Sequence, residues 1–237
     1  MDALKTATKV DAKEFAFDFA ASPPTIDIGI IRTAAYPPTA TITWIDVLDS
    51  SFYWSNNISG IKFSTSGQDE WGLIAKPAII DSTAYSISVP SEDFDWFMEN
   101  VAAQTIGYYT DKDYGTVVEC EHRTFMPSLK VLLGGFWLEI RPEDYLLEIA
   151  DTKECYIAFK KSADETWVLG STFMRGYYTT FNMETQKFGF VPTATSLKKL
   201  IEAGETPARV RELDVGLVVG FSVASAVMIG LIAFIFI

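Results

Sequence analysis

Across residues 41–47 (Thr-Ile-Thr-Trp-Ile-Asp-Val) apolar and polar side chains alternate, the pattern of a half-buried strand. Residues 58–63, 86–89, 117–120, 129–133 and 136–140 read similarly, each bounded by Gly, Pro, Asp or Asn. Gly134-Gly135, between two of these runs, predicts a tight hairpin turn. Over residues 94–103 the period changes: Phe94, Phe97, Met98 and Val101 fall at helical spacing, with Ser91 placed to cap the helix. Many short strands with one or two short helices predict a mainly β domain.

The two ends of the chain differ. Residues 1–21 carry Asp2, Lys5, Lys9, Asp11, Lys13, Glu14 and Asp18, so no apolar core of a secretory signal is expected there. Residues 215–237 are 23 positions without a charged side chain, long enough to cross about 30 Å of hydrocarbon as a helix. Ala203-Gly204, a polar spacer and that apolar tail also fit a lipid-anchor attachment signal. Pro192 closes the strand-rich region, and the polar stretch after it, with Gly204 and Pro207, reads as a stalk.

Composition narrows the functional classes. Of 237 residues 49% are hydrophobic, enough for a sizeable core, and a net charge of -12 argues against nucleic acid as a partner. One histidine and two cysteines cannot build a zinc site of the usual ligand count, and no metal or cofactor is expected. His122, between Glu121 and Arg123, reads as a surface residue without ligand-spaced neighbours. Cys120 and Cys155 are either two buried thiols or one disulfide. Asn57-Ile58-Ser59 is a candidate glycan acceptor, and neither a Gly-x-Ser-x-Gly elbow nor a glycine-rich phosphate loop is present.

The chemistry-bearing segment is Ala78-Ile79-Ile80-Asp81-Ser82-Thr83, a strand pattern that delivers a carboxylate into a turn. Val47-Leu48-Asp49-Ser50-Ser51 imitates it but leads straight into an aromatic run. Further on, Trp167-Val168-Leu169-Gly170 precedes Phe173, Arg175, Tyr177-Tyr178 and Phe181-Asn182, and Gly189-Phe190-Val191-Pro192 ends the run. This order resembles the closing segment of pepsin-like aspartic peptidases. Ser51-Phe52-Tyr53-Trp54, Phe125-Met126-Pro127-Ser128-Leu129 and Pro142-Glu143-Asp144-Tyr145 resemble earlier strands of the same lobe. The likeness covers roughly residues 26–192.

The resemblance implies one β-rich lobe of a bilobal fold, in which each lobe gives one Asp from an apolar-apolar-Asp-Thr/Ser-Gly loop. The two carboxylates share a proton because they cannot both ionise at close range. One acts as base on a water that attacks the peptide carbonyl, the other as acid. Carried over, Asp81 is catalytic, Ser82 braces the loop against its partner, and Leu169-Gly170 packs behind it. Cys120 and Cys155 take the places of the lobe's disulfide. Thr83 stands where the family has Gly and Ala84 where it has a hydroxyl; a β-branched residue is expected to crowd the carboxylate.

The expected organisation is therefore a remnant of a preceding lobe over 1–34, the carboxy-terminal lobe over 35–193, a stalk over 194–214 and a transmembrane or anchor segment over 215–237. The function implied is a membrane-anchored aspartic endopeptidase acting on polypeptides, with its lobe in a lumenal or extracellular compartment. A missing first lobe or a second copy would complete the dyad. The alternative is a non-catalytic, membrane-anchored binding module of the same fold.

Overall fold

Alternating side chains become strand where a neighbour can bury one face, and the described residues arrange those neighbours in three sheets. The computed structural model describes residues 1–7, 9–48, 53–63, 69–71, 76–102 and 107–202. The first strands are β1 (Glu14–Asp18), β2 (Thr25–Ile28), β3 (Thr43–Asp46), β4 (Ser55–Phe63), β5 (Asp69–Trp71), β6 (Lys76–Ile80), β7 (Ile87–Pro90), β8 (Tyr109–Asp111) and β9 (Gly115–Glu119). They are followed by β10 (Leu129–Leu133), β11 (Phe136–Ile140), β12 (Leu146–Glu148), β13 (Glu154–Ile157), β14 (Phe159–Ser162), β15 (Trp167–Leu169), β16 (Tyr177–Asn182), β17 (Lys187–Pro192) and β18 (Leu200–Glu202). Helices are short apart from α2: α1 (Asp2–Thr6), α2 (Ser91–Ala102), α3 (Pro142–Tyr145) and α4 (Ser171–Met174). The mainly β class expected from sequence is the class observed.

An antiparallel sheet runs β2-β1-β16-β17-β3, and a four-stranded one runs β12-β13-β9-β8. The largest is mixed, in the order β14-β7-β15-β6-β4-β10-β11-β18 with β5 on β4; β15 runs parallel to β6 and β14 parallel to β7. Trp167, Phe173, Tyr177, Phe181, Phe188 and Phe190 pack with Ile58, Ile61, Ile80 and Leu169 in one core. Burying each such side chain contributes about 1.5–3 kcal/mol.

The adjacent tyrosines of β16 point to opposite faces, as strand alternation requires. Tyr177 enters the main core, where its hydroxyl accepts the Glu139 N–H at 2.7 Å and donates to the Glu139 carbonyl at 3.0 Å. Tyr178 packs on Ala16, Ala35 and Val191, donates to Asp27 Oδ2 at 2.8 Å and accepts the Arg32 N–H at 2.9 Å. Burial pushes both phenols well above their ordinary range. The Gly134-Gly135 turn joins β10 to β11 with φ of +58° and +87°, and a Cβ on Gly134 would strike Ile45.

Several elements depart from expectation. Helix α2 begins at Ser91, and the Ser91 hydroxyl, expected as a cap, donates instead to the Ser162 carbonyl at 2.6 Å. Within residues 1–34, expected as a remnant of a preceding lobe, β1 and β2 join the five-stranded sheet, and β1 pairs with β16 from Glu14↔Asn182 to Asp18↔Tyr178. The stretch from 194, expected as stalk, is packed as far as Glu202: β18 pairs with β11, and Lys198 is buried against Asp144 at 3.0 Å. Burying the ammonium is tolerated because a carboxylate and the Arg175 carbonyl receive it. Among the described residues no helix is long and apolar enough to cross a membrane; residues 215–237 lie outside them.

Candidate active site

β6 sits between β4, antiparallel, and β15, parallel, with Ile80 opposite Leu169. Two parallel neighbours leave the sheet at the same end, so the turn after Ile80 and the turn after Leu169 meet. The Asp81 N–H donates to the Leu169 carbonyl at 3.2 Å, and the Ser171 N–H to the Ala84 carbonyl at 2.8 Å. The Thr172 N–H and Oγ1 both donate to the Tyr85 carbonyl, at 3.1 and 2.8 Å, and Ser171 Oγ joins them at 3.2 Å. A Cβ at Gly170 would collide with the Ser86 carbonyl and lie 2.5 Å from the Ala84 oxygen. Only glycine lets these two backbones approach so closely.

The loop holds the Asp81 carboxylate by one oxygen. Oδ1 accepts the Thr83 N–H at 2.8 Å and the Thr83 hydroxyl at 2.7 Å, while the Ala84 N–H closes the turn on the Asp81 carbonyl at 3.2 Å. Among the described residues Oδ2 and the Ser82 hydroxyl have no hydrogen-bond partner. The expected crowding by Thr83 does not occur. Its φ is not positive, since among the described non-glycine residues only Asp151 and Gln186 have positive φ, and its side chain is exposed. The β-branched carbon therefore has room, and its hydroxyl turns inward.

Asp81 and Ser82 line a cavity of about 240 Å³ whose other walls include Phe15, Phe17, Tyr53, Trp54 and Phe181. Phe15 stacks on Phe181 with ring centroids 4.8 Å apart, and Trp54 lies 5.2 Å from Phe181. Sequence reading missed this aromatic wall, although the every-other-residue Phe15, Phe17, Phe19 was the available signal. On the far side of the loop Tyr85 is half exposed and accepts the Tyr156 hydroxyl at 2.9 Å. Burial, then that bond, pushes the Tyr156 phenol well up.

Two larger cavities, about 520 and 630 Å³, lie elsewhere, around Arg175 and Lys198 and around Cys120 and Glu154. Cys120 and Cys155 are disulfide-bonded with Cα atoms 5.0 Å apart. Contrary to the sequence reading, His122 does have neighbours with ligand atoms: those of Glu119, Glu121 and His122 lie within 4.8 Å of one another, with both glutamates exposed. Asn57 lies within β4 opposite Pro77. Asp49 and Ser50, the imitation of the Asp81 pattern, fall outside the described residues.

The family model for eukaryotic aspartyl proteases matches residues 1–193. Gastricsin of Oryctolagus cuniculus is 25% identical over 173 residues, covering 70% of this chain and 42% of the relative. Plasmepsin VII of Plasmodium falciparum is 25% identical over 193 residues, covering 69% and 41%. Gastricsin of Mus musculus is 22% identical over 162 residues, covering 65% and 39%. The chain thus spans about two-fifths of the length of the curated relatives it matches.

Proposed function

The chain belongs to the eukaryotic aspartyl protease family, and from this premise we propose that it is the carboxy-terminal lobe of a membrane-anchored, pepsin-like aspartic endopeptidase acting on polypeptides, with Asp81 as one of two catalytic carboxylates. The observation that carries the reading is the Asp81 loop itself. A carboxylate at the end of a central strand is fixed by one oxygen, left free at the other, and backed by the turn after Leu169. A carboxylate in that condition can accept a proton from water when a second carboxyl group lies opposite to share charge. The second group comes from a complementary lobe or a second copy of this chain, and the aromatic wall beside Asp81 is the surface it would meet.

The disulfide supports a lumenal or extracellular position for the lobe, since such bonds persist in oxidising compartments. The apolar run over residues 215–237 supports anchorage, as a spanning helix or a lipid-anchor signal. The absence of a hydroxyl at Ala84 favours the second reading, a non-catalytic binding module of the same fold. One experiment separates the two. Membranes in which the wild-type chain is assembled with its complementary lobe should cleave a polypeptide at acid pH in a pepstatin-sensitive way, and Asp81→Asn should abolish the cleavage. Equal cleavage by both such assemblies, or none by either, supports the binding module.

A further inference from the structure

We propose that Thr83 is a positioning residue for Asp81, its hydroxyl making the contact to the carboxylate that Ala84 cannot; this rests on the reading of Asp81 as catalytic. A glycine at position 83 would offer the carboxylate only a backbone N–H. Here one residue brings two donors to one oxygen, the N–H at 2.8 Å and Oγ1 at 2.7 Å. An O–H donor at that distance from a carboxylate oxygen is a charge-assisted bond, among the stronger kinds a protein makes. The next residue, Ala84, contributes its N–H to the Asp81 carbonyl and has no side-chain donor. The two bonds fix the carboxylate plane and saturate Oδ1, so Oδ2 is the oxygen left for a water or a partner carboxyl group. Threonine suits the task because branching at Cβ restricts χ1, which keeps the hydroxyl aimed at Oδ1 at small entropic cost.

The test uses the full chain in detergent, with Thr83→Ser and Thr83→Val, and Thr83→Ala as a second variant lacking the hydroxyl. Nuclear magnetic resonance couplings between the Asp81 α and β protons should report one side-chain rotamer in the wild type and in Thr83→Ser. They should collapse to rotamer-averaged values in Thr83→Val and Thr83→Ala. In cleavage-competent membranes Thr83→Val should lower kcat roughly tenfold with KM within about twofold, and Thr83→Ser should restore kcat, the expected size for losing a bond to a charged group. A single Asp81 rotamer retained in both variants lacking the hydroxyl overturns the proposal. The coupling measurement needs no turnover, so failure of the peptidase reading, seen as cleavage indifferent to Asp81→Asn, is distinguished from failure of this one.

Discussion

At the scale of single residues, a buried lysine and a partly buried one make opposite use of their surroundings. Lys198 and Asp144 face each other at 3.0 Å; desolvation holds the Asp144 carboxyl above its ordinary value and the Lys198 ammonium below its own, while each charge opposes the other's shift. Lys198→Met strands a buried carboxylate and should lower unfolding free energy by about 3–5 kcal/mol at neutral pH. A carboxyl group raised on folding favours the fold below its unfolded value of 3.8 and disfavours it as pH climbs above, so the deficit should shrink toward pH 4 in urea titrations. Lys76 is pulled down by burial, but Asp93, Glu165 and Glu92 outweigh that and push it up to about 12. Its contribution is complete below pH 10.5 and disappears as pH rises toward 12. The stability difference between wild type and Lys76→Met should therefore close by about 1–2 kcal/mol across that window. The strand-turn pattern marked only the segment ending at Asp81-Ser82; Leu169 and Gly170 were joined to it through the family resemblance, because their contact links positions 88 apart in sequence. Thr83 was misjudged because sequence carries no φ, and Lys198 because its burial depends on Asp144, 54 positions away.

At the scale of elements, alternation revealed the strands that bury one face, and it failed where three residues give no period. β5, β8, β12 and β18 exist through their partners' registers. At the junction of the β6 and β15 turns, backbone meets backbone with no room for a Cβ. Gly170→Ala should force the Ala84 and Ser86 carbonyls apart, cost about 1–3 kcal/mol or more, and shift the amide resonances of residues 81–86. Unchanged resonances there would mean the two turns are not in contact. The disulfide acts on another element pair, tying the turn after β9 to β13 across a sequence separation of 35. Replacing both cysteines with serine should lower stability by about 4 kcal/mol on chain-entropy grounds, measured by urea unfolding.

For the whole molecule, purified chain without a complementary lobe should show no measurable peptidase turnover at acid pH, because one carboxylate cannot be both acid and base in the same step. Turnover by the chain alone, lost in Asp81→Asn and rising steeply with concentration, would instead mean that two copies build the site. The pairing of β1 with β16 bears on how the chain is made. Glu14 must wait for Asn182, so the five-stranded sheet closes over a contact of very long sequence separation. At roughly 5–20 residues per second, β1 leaves the ribosome about ten to thirty seconds before β16 exists, with β2 as its one sheet neighbour in the meantime. Through that interval Phe15 and Phe17 lack Phe181 to pack on. β1 thus waits for β16 long after its own synthesis, and the nascent chain is a natural client for chaperones that hold exposed aromatic segments until β16 arrives.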